Sequence, residues 1–180
     1  MTGSLSAMSL NSRAIAALGA VVVIGAGTVG FSVAHASSQD KPQNRLVTLV
    51  AGTGSVHSEP TCWNDGKPLD AKAQGDCQAK AAKLEKDGKL PTLEMNTSDR
   101  VGVGVDPVIA DKGWFAFTDG GTQGQATLAS ARKGSTFSGA IPAANVLKST
   151  EKTLVTVVEA DTRSGDIFGV WYFTLKNTDI

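Results

Sequence analysis

The sequence predicts a mainly β domain, an antiparallel β-sandwich with one short helix inserted near a cysteine-bounded loop. Three observations lead to that class. From Leu90 onward, short apolar stretches alternate with a period of two. Turn residues separate them, at Asn64-Asp65-Gly66, Asp119-Gly120-Gly121 and Asp161-Thr162-Arg163-Ser164-Gly165-Asp166. Helical spacing is confined to the stretch between Asp70 and Gly88. At 180 residues and 41% hydrophobic content, the chain is long enough for one core and not comfortably for two.

In chain order, Arg45–Val50 is β-branched and apolar and reads as a first strand. Gly52-Thr53-Gly54 breaks it, and Ser55–Ser58 is a short partner or an edge continuation. Asp70 is placed to cap a helix whose inward stripe is Ala73, Cys77, Ala81 and Leu84. Gly75 weakens the first turn and delays the expected start to about Asp76, while Lys83, Lys86 and Gly88 mark the end. Thr92–Met95 is a strand, and Val101-Gly102-Val103-Gly104-Val105 alternates with one face bare of side chains, the sign of a close backbone approach or a bend. Asp106-Pro107 stops that strand. Gly113–Thr118 is the next strand, followed by weaker ones at Gln125–Ala129 and Ser135–Ser138. Ile141–Lys148 reads as a connector with a helical turn. The chain closes on its clearest hairpin, Thr153–Ala160 with Ile167–Lys176. In its last strand Ile167, Gly169, Trp171, Phe173 and Leu175 share one face, and Trp171 and Phe173 are expected in the core.

The amino terminus addresses the chain to the outside. One positive charge, Arg13, precedes the uncharged run Ala14–Ala34, which exits through Ala34-His35-Ala36 before Ser37. That sequence of features describes a secretory signal peptide over residues 1–36. The alternative is an uncleaved membrane anchor formed by residues 14–34. Residues 37–45 form a polar, flexible leader, and residues 46–180 form the sandwich domain. The glycine pattern Gly25-Ala26-Gly27-Thr28-Val29-Gly30 after Val21–Ile24 imitates a dinucleotide-binding turn. It lacks room for the following helix and has no carboxylate where one is needed, so it reads as signal sequence.

The chain's two cysteines, Cys62 and Cys77, most often pair in an exported protein, at a contribution of roughly 3 kcal/mol in the chain-entropy model. Two cysteines with one nearby histidine do not make a zinc site, and no C-x-x-C is present. After residue 36 the only histidine is His57, with Glu59 and Asp65 near it in sequence. Ser130–Lys133 and Ser149–Lys152 match S-x-x-K, but neither opens a convincing helix and the companion motifs of acyl-enzymes are missing. Asp161 and Asp166 do not have the spacing of an EF-hand. The residues therefore predict no catalytic site, no metal site and no cofactor. Charge excludes nucleic acid as a partner: 17 basic and 17 acidic residues are intermingled over the chain.

Several motifs carry a resemblance. They are Cys62-Trp63-Asn64-Asp65-Gly66-Lys67, the helix that ends the loop with the second cysteine, Gly102–Pro107, Ile109–Trp114 and Gly169–Phe173. In these the chain resembles a family of exported actinobacterial secreted proteins and lipoproteins with a domain of unknown function, over about residues 46–178. The resemblance implies an immunoglobulin-like domain in the envelope or outside the cell, and no known reaction. Many relatives have a lipid-modified cysteine after the signal, whereas this chain has none before Cys62.

The expectation that follows is an exported, non-enzymatic, monomeric module binding an envelope protein or a glycan. Its expected binding surface is Trp63, Asn64 and Asp65 with the neighbouring segment from Asp106 to Trp114. Opposed to it stand a packing role for both tryptophans, a small extracellular hydrolase centred on His57, and an accessory protein tethered to the membrane through residues 14–34.

Overall fold

The computed structural model describes residues 45–121 and 124–180, which belong to one compact unit. The signal or anchor segment, the glycine-rich imitation of a nucleotide turn and all of the leader but Arg45 lie outside the described residues.

Ten strands form two sheets. They are β1 (Val47–Ala51), β2 (Gly54–Ser58), β3 (Cys62–Trp63), β4 (Thr92–Met95), β5 (Arg100–Val105), β6 (Trp114–Thr118), β7 (Ala126–Arg132), β8 (Phe137–Pro142), β9 (Lys152–Ala160) and β10 (Ile167–Asn177). The first sheet is antiparallel in the order β2-β1-β5-β8, and the second runs β3-β10-β9-β6-β7. At the edge of β10, β3 pairs antiparallel with Gly169 and Val170 while β4 pairs parallel with Thr174 to Asn177. The helix α1 (Ala71–Lys86) connects β3 to β4 and therefore passes over the outer face of β10. A short helix, α2 (Pro107–Lys112), joins β5 to β6, and a 3-10 turn spans Ala143–Asn145.

The β-sandwich predicted from the alternation is what forms. Val47, Leu49, Val101, Val103, Val155, Val157, Trp171, Phe173 and Leu175 fill the space between the sheets. Trp171 and Phe173 are fully buried, as expected. A second apolar cluster lies on the other side of the second sheet, where Val158, Val170 and Tyr172 meet Leu69, Cys77, Ala81 and Leu90. The bare face of β5 also has its explanation. The Phe137 ring lies over Gly102, and a Cβ there would come within 2.9 Å of that ring and of the Gly139 carbonyl.

Several expectations need correction. Helix α1 begins at Ala71, not near Asp76: the Asp70 carboxylate accepts from the Ala73 amide at 2.7 Å, and the cap outweighs the propensity cost of the exposed Gly75. The first strand begins at Val47 because Leu46 is already engaged with Asp106, donating its N–H to the carboxylate and accepting from the Asp106 amide. The weak strands extend further than their alternation implied, to Arg132 and Pro142. Pro107 opens a helix that the turn reading did not contain, a position where its missing N–H costs nothing. Ile167 does not share the Trp171 face. A bulge between Ile167 and Gly169 inserts one residue, which turns Ile167 to the outer cluster.

Candidate functional site

Two neighbouring features flank the disulfide-tied helix. The first is the loop that closes it. Cys62 and Cys77 form a disulfide, joining the edge strand β3 to the buried face of α1. The following turn is tight: the Lys67 amide donates to the Asn64 carbonyl at 2.7 Å, and Asp65 and Gly66 both take positive φ. Asn64 and Asp65 are exposed and Trp63 is half-buried. The Arg45 guanidinium lies 3.9 Å from the centre of the Trp63 ring. The same guanidinium nitrogen reaches both carboxylate oxygens of Glu159 at 2.5 Å, and the Arg45 carbonyl accepts from the Trp171 indole at 3.1 Å. A cleft of about 230 Å³ opens beside this pair, bounded by Gly66 on one side and Val108 and Lys112 of α2 on the other. The disulfide loop and the segment after Asp106 therefore do meet.

Two of the residues expected there have other duties. Trp114 has no exposed surface; it belongs to the core between the sheets, and its indole N–H donates to the Ser135 carbonyl at 2.7 Å. Asp106 is spent on Leu46 and fixes the entry of the chain into β1. The centre of the cleft is instead Glu159, fully buried at the end of the inner face of β9. Burial pushes its carboxyl up from the ordinary value, against the Arg45 guanidinium, which holds it down. The signal for it was present in the alternation: Val155, Val157 and Glu159 share one face of a strand, so the acid had to point inward.

The second feature is a groove of about 330 Å³ on the far side of α1. Its origin is geometric. Strands lie about 4.8 Å apart, so β6 is about 10 Å from β10, with β9 between them. A helix about 10 Å wide seated on β10 cannot cover β6. The outward residues of β6, Phe115 and Phe117, are consequently half-buried, with their rings 6.2 Å apart and inclined by only 16°. Val158, Thr156 and Tyr172 continue the floor, and Gln74 and Gln78 of α1 form the wall. The Gln74 amide donates to the Leu69 carbonyl at 2.8 Å. Among the described residues, the hydroxyls of Thr156 and Tyr172 and the amide of Gln78 make no hydrogen bond with the protein. Burial pushes the Tyr172 phenol up from its ordinary value, so it is neutral. The loop-centred reading missed this groove because its floor comes from three strands far apart in sequence.

The remaining candidates stay apart. His57 is exposed on β2, and its imidazole forms no hydrogen bond among the described residues, so no acid or base there serves it. Ser130 sits within β7 and Ser149 in a bend, so neither has a lysine one helical turn later. The Asp161 carboxylate accepts from the amides of Arg163 and Ser164, which hold it below its ordinary range, and Asp166 accepts from the Ser164 hydroxyl. Those bonds are the internal bonds of a hairpin turn. No group of three metal-ligating side chains converges among the described residues.

The disulfide points to an oxidising, extracytoplasmic setting. None of the described helices is long and apolar enough to cross a membrane. No protein-family model, curated protein or solved structure matches this chain.

Proposed function

We propose that this is an exported, non-enzymatic module of immunoglobulin-like type that binds a partner in the cell envelope or outside the cell through the face around the disulfide-tied helix. The observation that carries the reading is the groove beside α1, where two parallel phenylalanine rings stay half-open to solvent. A sandwich selected for stability alone would cover such rings, since an open apolar shelf costs solubility without adding to the core. The amino-terminal signal pattern, the disulfide and the resemblance to exported actinobacterial proteins support the location.

The test is retention. The wild-type protein and the Phe115→Ala/Phe117→Ala variant are expressed in the native host, and the envelope and medium fractions are compared. Envelope extracts are then passed over both immobilised proteins. The reading expects the wild type to capture a component that the variant does not. Equal capture by both would remove it. Intact mass of the isolated protein separates the cleaved form from one tethered through residues 14–34: a chain starting at Ser37 supports release, and one starting at Met1 supports the tether.

A further inference from the structure

We propose that the groove takes a neutral carbohydrate, with a pyranose ring packed against Phe115 and Phe117. This deepens the binding role above and rests on it. The first argument is shape. Phe115 and Phe117 project from the same face of β6, and their rings lie nearly parallel with centres 6.2 Å apart, so together they make one continuous apolar patch on the groove floor. The C–H face of a sugar ring is the complementary surface: flat, apolar and edged with hydroxyls. The groove volume, about 330 Å³, sits at the lower end of ligand pockets, which span about 300–1,000 Å³, and so suits one or two rings.

The second argument is charge. This chain carries 17 basic and 17 acidic residues, yet none of them lines the groove. An ionic ligand would leave water there without a counter-charge, which is costly. The third is hydrogen bonding. Thr156 and Tyr172 each present a hydroxyl and Gln78 an amide, all without a protein partner among the described residues. Each of these groups both donates and accepts, as sugar hydroxyls do. Other occupants fit less well. An acyl chain favours an enclosed apolar cavity, whereas this trough is open and has an amide rim. An extended peptide would add to a free strand edge, whereas β6 is already paired with β7 and β9, and β9 with β6 and β10.

The test is isothermal titration of the protein purified from its native host with maltohexaose, cellohexaose, xylohexaose and mannohexaose, and with hexagalacturonate and decanol as comparators. At least one neutral hexaose is expected to bind with Kd below about 1 mM, and hexagalacturonate is not. Gln78→Glu, at an exposed helix position that leaves the fold alone, should weaken binding about tenfold by placing a charge on the wall. Phe117→Ala should abolish it. Absence of binding by all four neutral hexaoses overturns the inference. So does binding that Gln78→Glu and Phe117→Ala leave intact, or capture of decanol in their place. If the Phe115→Ala/Phe117→Ala variant loses envelope capture while no hexaose binds, the carbohydrate falls and the binding role stands. If capture is also unaffected, both fall.

Discussion

The two faces of β9 and β10 carry similar residues and lead different lives. Inward, Val155, Val157, Trp171 and Phe173 have no exposed surface, because a whole second sheet lies opposite them. Outward, Val158, Val170 and Tyr172 are opposed by a single helix that buries only Cys77 and Ala81. Sheet against sheet matches two extended surfaces, so the interior closes by packing alone. Helix against sheet leaves uncovered strands to one side, and the apolar stripe of the helix, with Ala73 and Leu84 only half-buried, is small. The disulfide adds a covalent attachment, and the strand left half-covered bounds the groove. The difference teaches that the inner layer closes by packing, while the outer one leaves a strand half-covered.

That contrast can be broken first from the inside. Trp171→Ala should cost about 3–5 kcal/mol, read as a lower urea midpoint for the whole domain, because the fully buried ring leaves a cavity that the facing sheet cannot fill. A loss below about 1 kcal/mol would mean that the interior is not the stable layer.

Arg45→Ala should cost about 3–5 kcal/mol at pH 7, since it strands the buried Glu159 without its partner. Here the pH dependence has a definite sign. The Glu159 carboxyl is already held above its ordinary value of 4.5, and losing the guanidinium raises it further. Between that value and the raised one, the folded variant keeps a proton that the unfolded chain releases. Its stability therefore falls as pH rises through the window and is fully recovered only below the ordinary value. Denaturation at pH 4.5 and pH 7 should show the smaller deficit at the acid end. Equal deficits would assign the loss to the Trp63 contact instead.

On the outer layer, Cys62→Ala/Cys77→Ala should cost roughly 3 kcal/mol for a loop of 15 residues. Hydrogen exchange should rise in α1 while β9 and β10 remain protected. Uniform loss of protection would show that helix and sandwich unfold together, against the two-layer account. Asp70→Ala should cost about 1 kcal/mol, seen as fraying of the first turn of α1. Smallest of all, Lys72→Ala removes a fully exposed pair with Asp76, and thermal unfolding should not register it.

Much of this architecture was legible in the residues. Period-two alternation identified the closing hairpin and the inward Trp171 and Phe173, and Asp70 was readable as the cap of α1, although Gly75 pointed to a later start than the helix has. The cysteine pair was readable because the chain has only two cysteines, fifteen positions apart, and a signal-like amino terminus leads one to expect them to pair. Less was legible at the site. Trp63, Asn64 and Asp65 announced a turn, but nothing local told that Arg45 would lie over Trp63 while paired with Glu159, 114 positions away. Trp114 was open to two readings, a binding aromatic or a core residue, and its register on β6 put it inside.

The sequence by itself determined the local properties: the strand period, the turns, the helix cap and the one possible thiol pair. Each of these depends on residues within a few positions of one another. Tertiary structure decided which face of each strand would be covered, and by what. The groove exists because α1 is one helix wide and the sheet beneath it is wider, a mismatch between elements that no single stretch of chain contains.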